Sequence, residues 1–120
     1  MQTQSILLNI KKLLGLSAEY VAFDQDIIIH INTAFMSLNQ LGIGPEKGVV
    51  ISGTEETWYE LLGDKLDLEG VKTYIYLKVR LVFDPPTSSF VLEAFKKNIE
   101  ELEFRLKVQA EVKEETLDEQ

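Results

Sequence analysis

One stretch of this chain dictates where its neighbours end and begin: Asp84-Pro85-Pro86-Thr87-Ser88-Ser89. Pro85 pushes Asp84 out of the helical region, and Pro86 does the same to Pro85. Neither ring nitrogen can donate a hydrogen bond, so the preceding element ends near Phe83. Thr87, Ser88 and Ser89 then offer successive hydroxyls to the free N–H groups that open a helix. Both proline φ angles are preset, which makes the connection stiff. We read Asp84, Pro85, Pro86, Ser88 and Ser89 as a structural joint that sets the angle between two long elements, rather than as a catalytic loop.

After the joint, Phe90, Leu92, Phe95, Ile99, Leu102, Leu106 and Val108 mark a long helix from about Ser89 to Ala110. Glu101–Arg105 and Glu103–Lys107 are i,i+4 pairs in the favourable order. Before the joint, residues 68–83 fit two patterns. Ile75, Leu77, Val79, Leu81 and Phe83 alternate with Tyr76, Lys78 and Arg80 as in a strand. Val71, Tyr74, Ile75, Lys78, Leu81 and Val82 also form a helix face, with the lysine stem along its apolar edge. The run is long for a strand and ordinary for a helix. Asp67 is available as an N-cap.

The first half reads as helices and turns. Ile6, Leu7, Ile10, Leu13 and Leu14 give a helix over Thr3–Leu14, stopped at Gly15. Ser17–Phe23 is a connector with Tyr20, Val21 and Phe23 expected to pack inward. Asp24 is the expected N-cap of a second helix, with Asp26 in its first turn. Its apolar face is Ile27, Ile28, Ile31, Ala34, Phe35, Leu38 and Leu41, and Gly42 ends it. GIGPEKG is a loop. Val49-Val50-Ile51 is a brief β-like run. Thr54 is the expected cap of a short helix with Glu55 and Glu56 in its first turn, Trp58, Leu61 and Leu62 facing inward, and Gly63 as its stop. The fold class is therefore mainly α: a small bundle of about four to five helices, with a long C-terminal helix and a short β-like segment near 48–52.

At 120 residues, the length fits one domain. We expect a helical domain over 1–110 and an acidic flexible tail over 111–120, where five carboxylates face one lysine. The formal net charge of −8 disfavours a general nucleic-acid face or an anionic membrane surface as a partner. No cysteine is present, which excludes disulfides, thiol catalysis and cysteine-ligated metals. The N-terminus lacks the charge pattern of a signal peptide, and no apolar run approaches the length of a membrane span. The chain is expected to be soluble and made in a cytoplasm.

Candidates for chemistry are few. His30 is the single histidine, which rules out a multi-histidine metal site, and its mid-helix position, with Asp26 the one carboxylate three or four residues away, offers no Ser-His-Asp triad. Glu55-Glu56 and Glu100-Glu101-Glu103 could act as acid and base. The first pair suits a helix N-terminus, however, and the second lies beside Arg105 and Lys107 on a solvated face. GIGPEKG lacks the spacing of the phosphate-binding glycine motifs. Trp58 and Tyr59 suit either an interaction hot spot or the core. Exposure and character suggest Pro45, Glu46, Lys47, Trp58, Tyr59, Arg80 and Asp84 as partner-contact residues.

Several motifs recur together and in order: D-x-x-I-x-x-H-I-N-T-A over Asp24–Ala34, QLGIG over Gln40–Gly44, Thr57-Trp58, YIYLKVRLVFDPPTSS over Tyr74–Ser89, and ELEFRL over Glu101–Leu106. As an ordered set, spanning roughly residues 5 to 108, they resemble the head–tail connector (adaptor) proteins of tailed bacteriophages and prophages of Gram-positive bacteria. The resemblance implies a small, mainly helical structural protein of the virion neck, with no catalytic site, metal or cofactor. Such proteins dock as a ring, commonly of about a dozen copies, between the portal protein and downstream neck or tail proteins. DNA only passes through the channel, and no membrane is involved. The resemblance also favours helix for 68–83. An acidic channel lining would repel DNA and let it slide, so the net charge is compatible. The rival classes are another neck or tail-completion protein, an assembly chaperone absent from finished particles, and a small cytoplasmic enzyme or regulator.

Overall fold

A computed structural model describes residues 4–63 and 67–118, with side chains described through residue 112. Five helices follow one another: α1 (Ile6–Leu13), α2 (Asp24–Gln40), α3 (Trp58–Leu62), α4 (Leu68–Phe83) and α5 (Ser89–Asp118). Among the described residues there is no sheet, only an isolated antiparallel bridge between Ser5 and Thr57. The fold is a small helical bundle, as the periodicity implies.

Residues 68–83 resolve as helix. Asp67 caps α4 by accepting a hydrogen bond from the Gly70 N–H. Val71, Tyr74, Ile75, Leu77 and Val79 are buried. The alternation that imitates a strand arises because α4 is covered on more than one side. It packs against α2 and α5, and also meets α1 and α3. A helix enclosed in this way is apolar over most of its circumference. Val82, placed on the inward face by the sequence pattern, is exposed.

The core is continuous from Ile6, Leu7 and Ile10 through Ile27, Ile31, Phe35 and Leu38 to Trp58, Tyr74, Ile75, Ile99 and Leu106. Lys11 is buried with them at 1% exposure. Its ammonium lies 2.8 Å from the Asp24 carboxylate and donates to the Ala18 carbonyl at 3.1 Å. One lysine thus ties α1, the connector and the start of α2 together.

That pairing corrects two expectations. Asp24 does not cap α2: Phe23 occupies the cap position, and the Asp24 carboxylate is committed to Lys11. Tyr20, Val21 and Phe23 do not pack inward but are exposed, stacked edge to face as Tyr20–Phe23 and Phe23–Phe83. The connector is held by the buried ammonium, so its apolar side chains need not anchor it.

Three helix boundaries also shift. Ser5 caps α1 through a bond from the Leu8 N–H, and the expected start at Thr3 lies outside the described residues. Thr57, not Thr54, caps the short α3 by accepting from the Glu60 N–H. Glu56 instead turns back, and its carboxylate takes the N–H groups of Ser52 and Gly53. Helix α5 continues to Asp118, past the end near Ala110 expected for it. The added stretch is rich in Glu, with one Lys, residues that propagate an established helix well. Glu119 and Gln120 lie outside the described residues.

Candidate docking surfaces

The joint between α4 and α5 is built as its residues require. Asp84 leaves the helical region with φ −149° and ψ 68°, as a residue before proline must. Its N–H still bonds the Arg80 carbonyl at 3.0 Å. Ser88 opens α5, accepting the Val91 N–H on Oγ at 3.4 Å, with the Leu92 N–H on its carbonyl at 3.0 Å. Pro85 is exposed and Pro86 half-buried.

Arg80 spans this joint. Its Nε donates to the Asp84 carbonyl at 3.2 Å, and a terminal nitrogen donates to the Tyr76 hydroxyl at 2.9 Å. The guanidinium carbon sits 5.2 Å from the centre of the Phe95 ring. The cation therefore stacks on α5 while its donors hold the end of α4. About two turns further from the joint, the Tyr74 hydroxyl donates to Glu103 at 2.7 Å. Burial, with the hydrogen bond and charge of Glu103, raises the Tyr74 phenol above its ordinary value.

The other proposed contact residues lie apart from the joint. Pro45, Glu46 and Lys47 are exposed on a loop pinned by Asn39, whose amide donates to the Pro45 carbonyl at 3.1 Å and the Glu46 carbonyl at 3.5 Å. Glycine is required at two places there: Gly44 and Gly48 have φ of 92° and 80°. Tyr59 is exposed on α3. Trp58 is not a surface residue: it is 2% exposed, its ring lies 6.0 Å from Phe35, and its indole N–H donates to Asn9 at 3.0 Å. The structure thus assigns Trp58 to the core. Among the described residues, no hydrogen bond or ion pair links the loop or Tyr59 to the joint.

The β-like run 49–51 has an unusual partner. The Asn32 side chain takes both main-chain groups of Ile51, accepting its N–H at 2.8 Å and donating to its carbonyl at 3.0 Å. Val49 and Ile51 point into the core, while Val50 between them is 72% exposed. The Glu56 carboxylate closes the next turn. Burial pushes Glu56 upward, but the N–H groups of Ser52, Glu56 and Gly53 and the Ser52 hydroxyl outweigh that and hold it below the ordinary carboxylate value.

The sequence reading missed the exposed apolar side chains of α5. Phe90 and Val108, counted in the apolar pattern of this helix, are exposed, Phe90 at 82%, and Phe104 joins them. A signal was available. Each of Phe90 and Val108 stands nine residues from buried Ile99, about two and a half helical turns, which places it on the opposite side. Ile29 and Met36 on α2 are exposed as well.

Half-buried His30 lines a shallow groove with Thr33, Ala34, Lys78, Leu81 and Val82. Among the described residues, no three His, Asp or Glu side chains converge as a metal site, and no helix is long and apolar enough to cross a membrane. What the arrangement offers is a rigid frame with separate surfaces.

Comparison with family models finds one described as phage connector protein, matching residues 6–113. Comparison with curated proteins and with solved structures finds no match.

Proposed function

Because this chain belongs to the phage connector protein family, we propose that it is a subunit of a ring that joins the DNA-filled head of a tailed phage to its tail. The family comprises structural connectors, not enzymes. The family match over residues 6–113 is the observation that carries the reading. In the proposed arrangement one surface meets the portal protein, another meets downstream neck or tail proteins, and side-to-side contacts between copies close the ring in the virion neck. DNA passes through without being read. The ordered motifs over residues 5 to 108, which resemble connectors of phages of Gram-positive bacteria, support such a host.

Several features suit this role. A ring closes only if each subunit holds a fixed angle to the next. Stiff helices, a proline joint and the Arg80 strap across it supply such an angle. Pro45–Lys47, Tyr59 and the joint at Asp84 give surfaces in different regions, as a subunit with neighbours on several sides needs. The net charge of −8 suits a channel wall that does not grip DNA.

Deleting the gene from the encoding phage tests the reading. Filled heads and finished tails should accumulate unjoined, and wild-type particles should contain the chain at about the copy number of the portal. If the chain is needed for yield yet absent from intact particles that contain portal and tail proteins, it is an assembly chaperone instead.

A further inference from the structure

We propose that the main-chain edge of Val50 receives an extended segment of a docking partner polypeptide as an added β-strand. The proposal rests on the connector reading and names how one of its surfaces is used.

In an extended chain, the N–H and C=O of one residue point to one side, and those of the next residue point to the other. Two observations show that 49–51 is extended. Burial alternates, with Val49 and Ile51 inward and Val50 outward. A single side-chain amide, from Asn32, bonds both the N–H and the C=O of Ile51, as a neighbouring strand would. On that side the Ile51 pair is therefore taken by α2. The N–H and C=O of Val50 face the outer edge, where no described residue bonds them. Beyond it, the Ser52 N–H is taken by Glu56. The N–H and C=O of Val50 form a donor–acceptor pair on one residue, spaced for the pair of bonds that antiparallel strands exchange.

The segment is also prepared for docking. Asn39 and Asn32 hold the chain on either side of it through four hydrogen bonds, so little order has to be gained on binding. Edge strands are ordinarily blunted by proline, an inward-pointing charge or a cover. Val50 is instead a β-branched residue in the open, next to a shallow groove that exposed Met36 lines with Lys47. Main-chain bonds supply the affinity in strand addition, and alternate side chains supply the selection. The occupant that fits is an extended peptide with an apolar residue to set beside Val50 and Met36.

The test uses heads from a phage lacking this gene, supplemented with purified full-length chain. Val50→Pro removes the outer N–H without touching the bonds to Asn32, and it requires Val49 to be extended, as it already is. Val50→Thr keeps the N–H and the strand preference. The expected result is that V50P melts like wild type yet joins heads to tails at least about tenfold less well, while V50T stays close to wild type. Hydrogen exchange at the Val50 amide should slow at least about tenfold when wild-type chain sits on heads, a readout that does not depend on the variant's fold. Equal joining by V50P, or an unprotected Val50 amide on heads, overturns the proposal. A dimer of the free chain that V50P abolishes puts a second copy on this edge and also overturns it. Failure of the wild-type chain to join heads defeats the connector reading instead, and shows itself before any variant is compared.

Discussion

The Tyr74 hydroxyl donates a 2.7 Å hydrogen bond to the Glu103 carboxylate, tying the middle of α4 to the middle of α5. The sequence pairs Glu103 with Lys107 along one helix, but the fold spends it across two. This bond locks the longitudinal register of α4 against α5, while Arg80 on Phe95 locks the end nearest the joint.

Tyr74→Phe should therefore cost about 1.5–3 kcal/mol at neutral pH, the usual range for a hydrogen bond to a charged group. Burial and Glu103 raise the phenol above its ordinary value of 10.0. The unfolded chain then loses this proton first as pH rises. The stabilisation is complete below pH 10 and declines above it. Denaturant titrations at pH 7 and at pH 11 should show the gap between wild type and Y74F narrowing at the higher pH. A gap that is constant with pH would mean the bond does not discriminate the protonated phenol.

Much of the bundle can be read from the sequence because apolar spacing alone determines it. Ile27, Ile31, Phe35 and Leu38 recur at helical intervals and are buried as the pattern requires. The proline joint is equally legible, since its constraints are local. The parts that sequence hides depend on partners distant in the chain. Lys11 reads as a surface lysine until Asp24 and the Ala18 carbonyl are found around it. The segment 49–51 reads as a strand without a partner because the partner is one asparagine side chain. Residues 68–83 are ambiguous by pattern because enclosure on several sides erases the polar face. Docking residues are hardest, since exposure alone does not say what touches them. Trp58 was a candidate on composition, and its burial settles only that it belongs to the core.

The buried lysine supports a second prediction. Lys11→Met removes the charge but leaves Asp24 beside an apolar side chain with limited access to water. Breaking a buried pair costs about 3–5 kcal/mol, and the low end applies because Asp24 retains some exposure. Adding Asp24→Leu to K11M should restore part of the loss, since no unpaired charge remains. Urea denaturation of both single variants and the double variant gives the coupling. If K11M alone is as stable as wild type, the pair does not hold the connector.

Glu56 gives an acid limit. Its carboxylate is held below its ordinary value of 4.5 by the N–H groups it caps, against the opposing effect of burial. Its contribution is present above pH 4.5 and is lost as pH falls through the lower folded value. Glu56→Gln should make the turn at 52–56 less stable at pH 7 and flatten the acid side of the stability curve. Thermal melts between pH 3 and 7 check this. An unchanged acid slope in E56Q would assign the slope to other carboxylates.

The joint supports the last prediction, which separates stability from assembly. Pro85 and Pro86 reduce the freedom of the unfolded chain, so replacing both by alanine should cost about 0.4–1 kcal/mol each. That is a small loss for a domain, and the monomer should still fold with its α4–α5 contacts, because Tyr74–Glu103 and Arg80–Phe95 remain. Ring closure is more demanding, since a small angular error in each copy accumulates around the circle. The double variant is therefore expected to melt only a few degrees lower and to join heads to tails poorly. Arg80→Lys should behave in the same direction, because an ammonium cannot stack on Phe95 while donating to both Asp84 and Tyr76. Circular dichroism melts beside a count of joined particles by electron microscopy distinguish the two effects. Normal numbers of joined particles with alanine at both positions would show that the joint does not set the subunit angle.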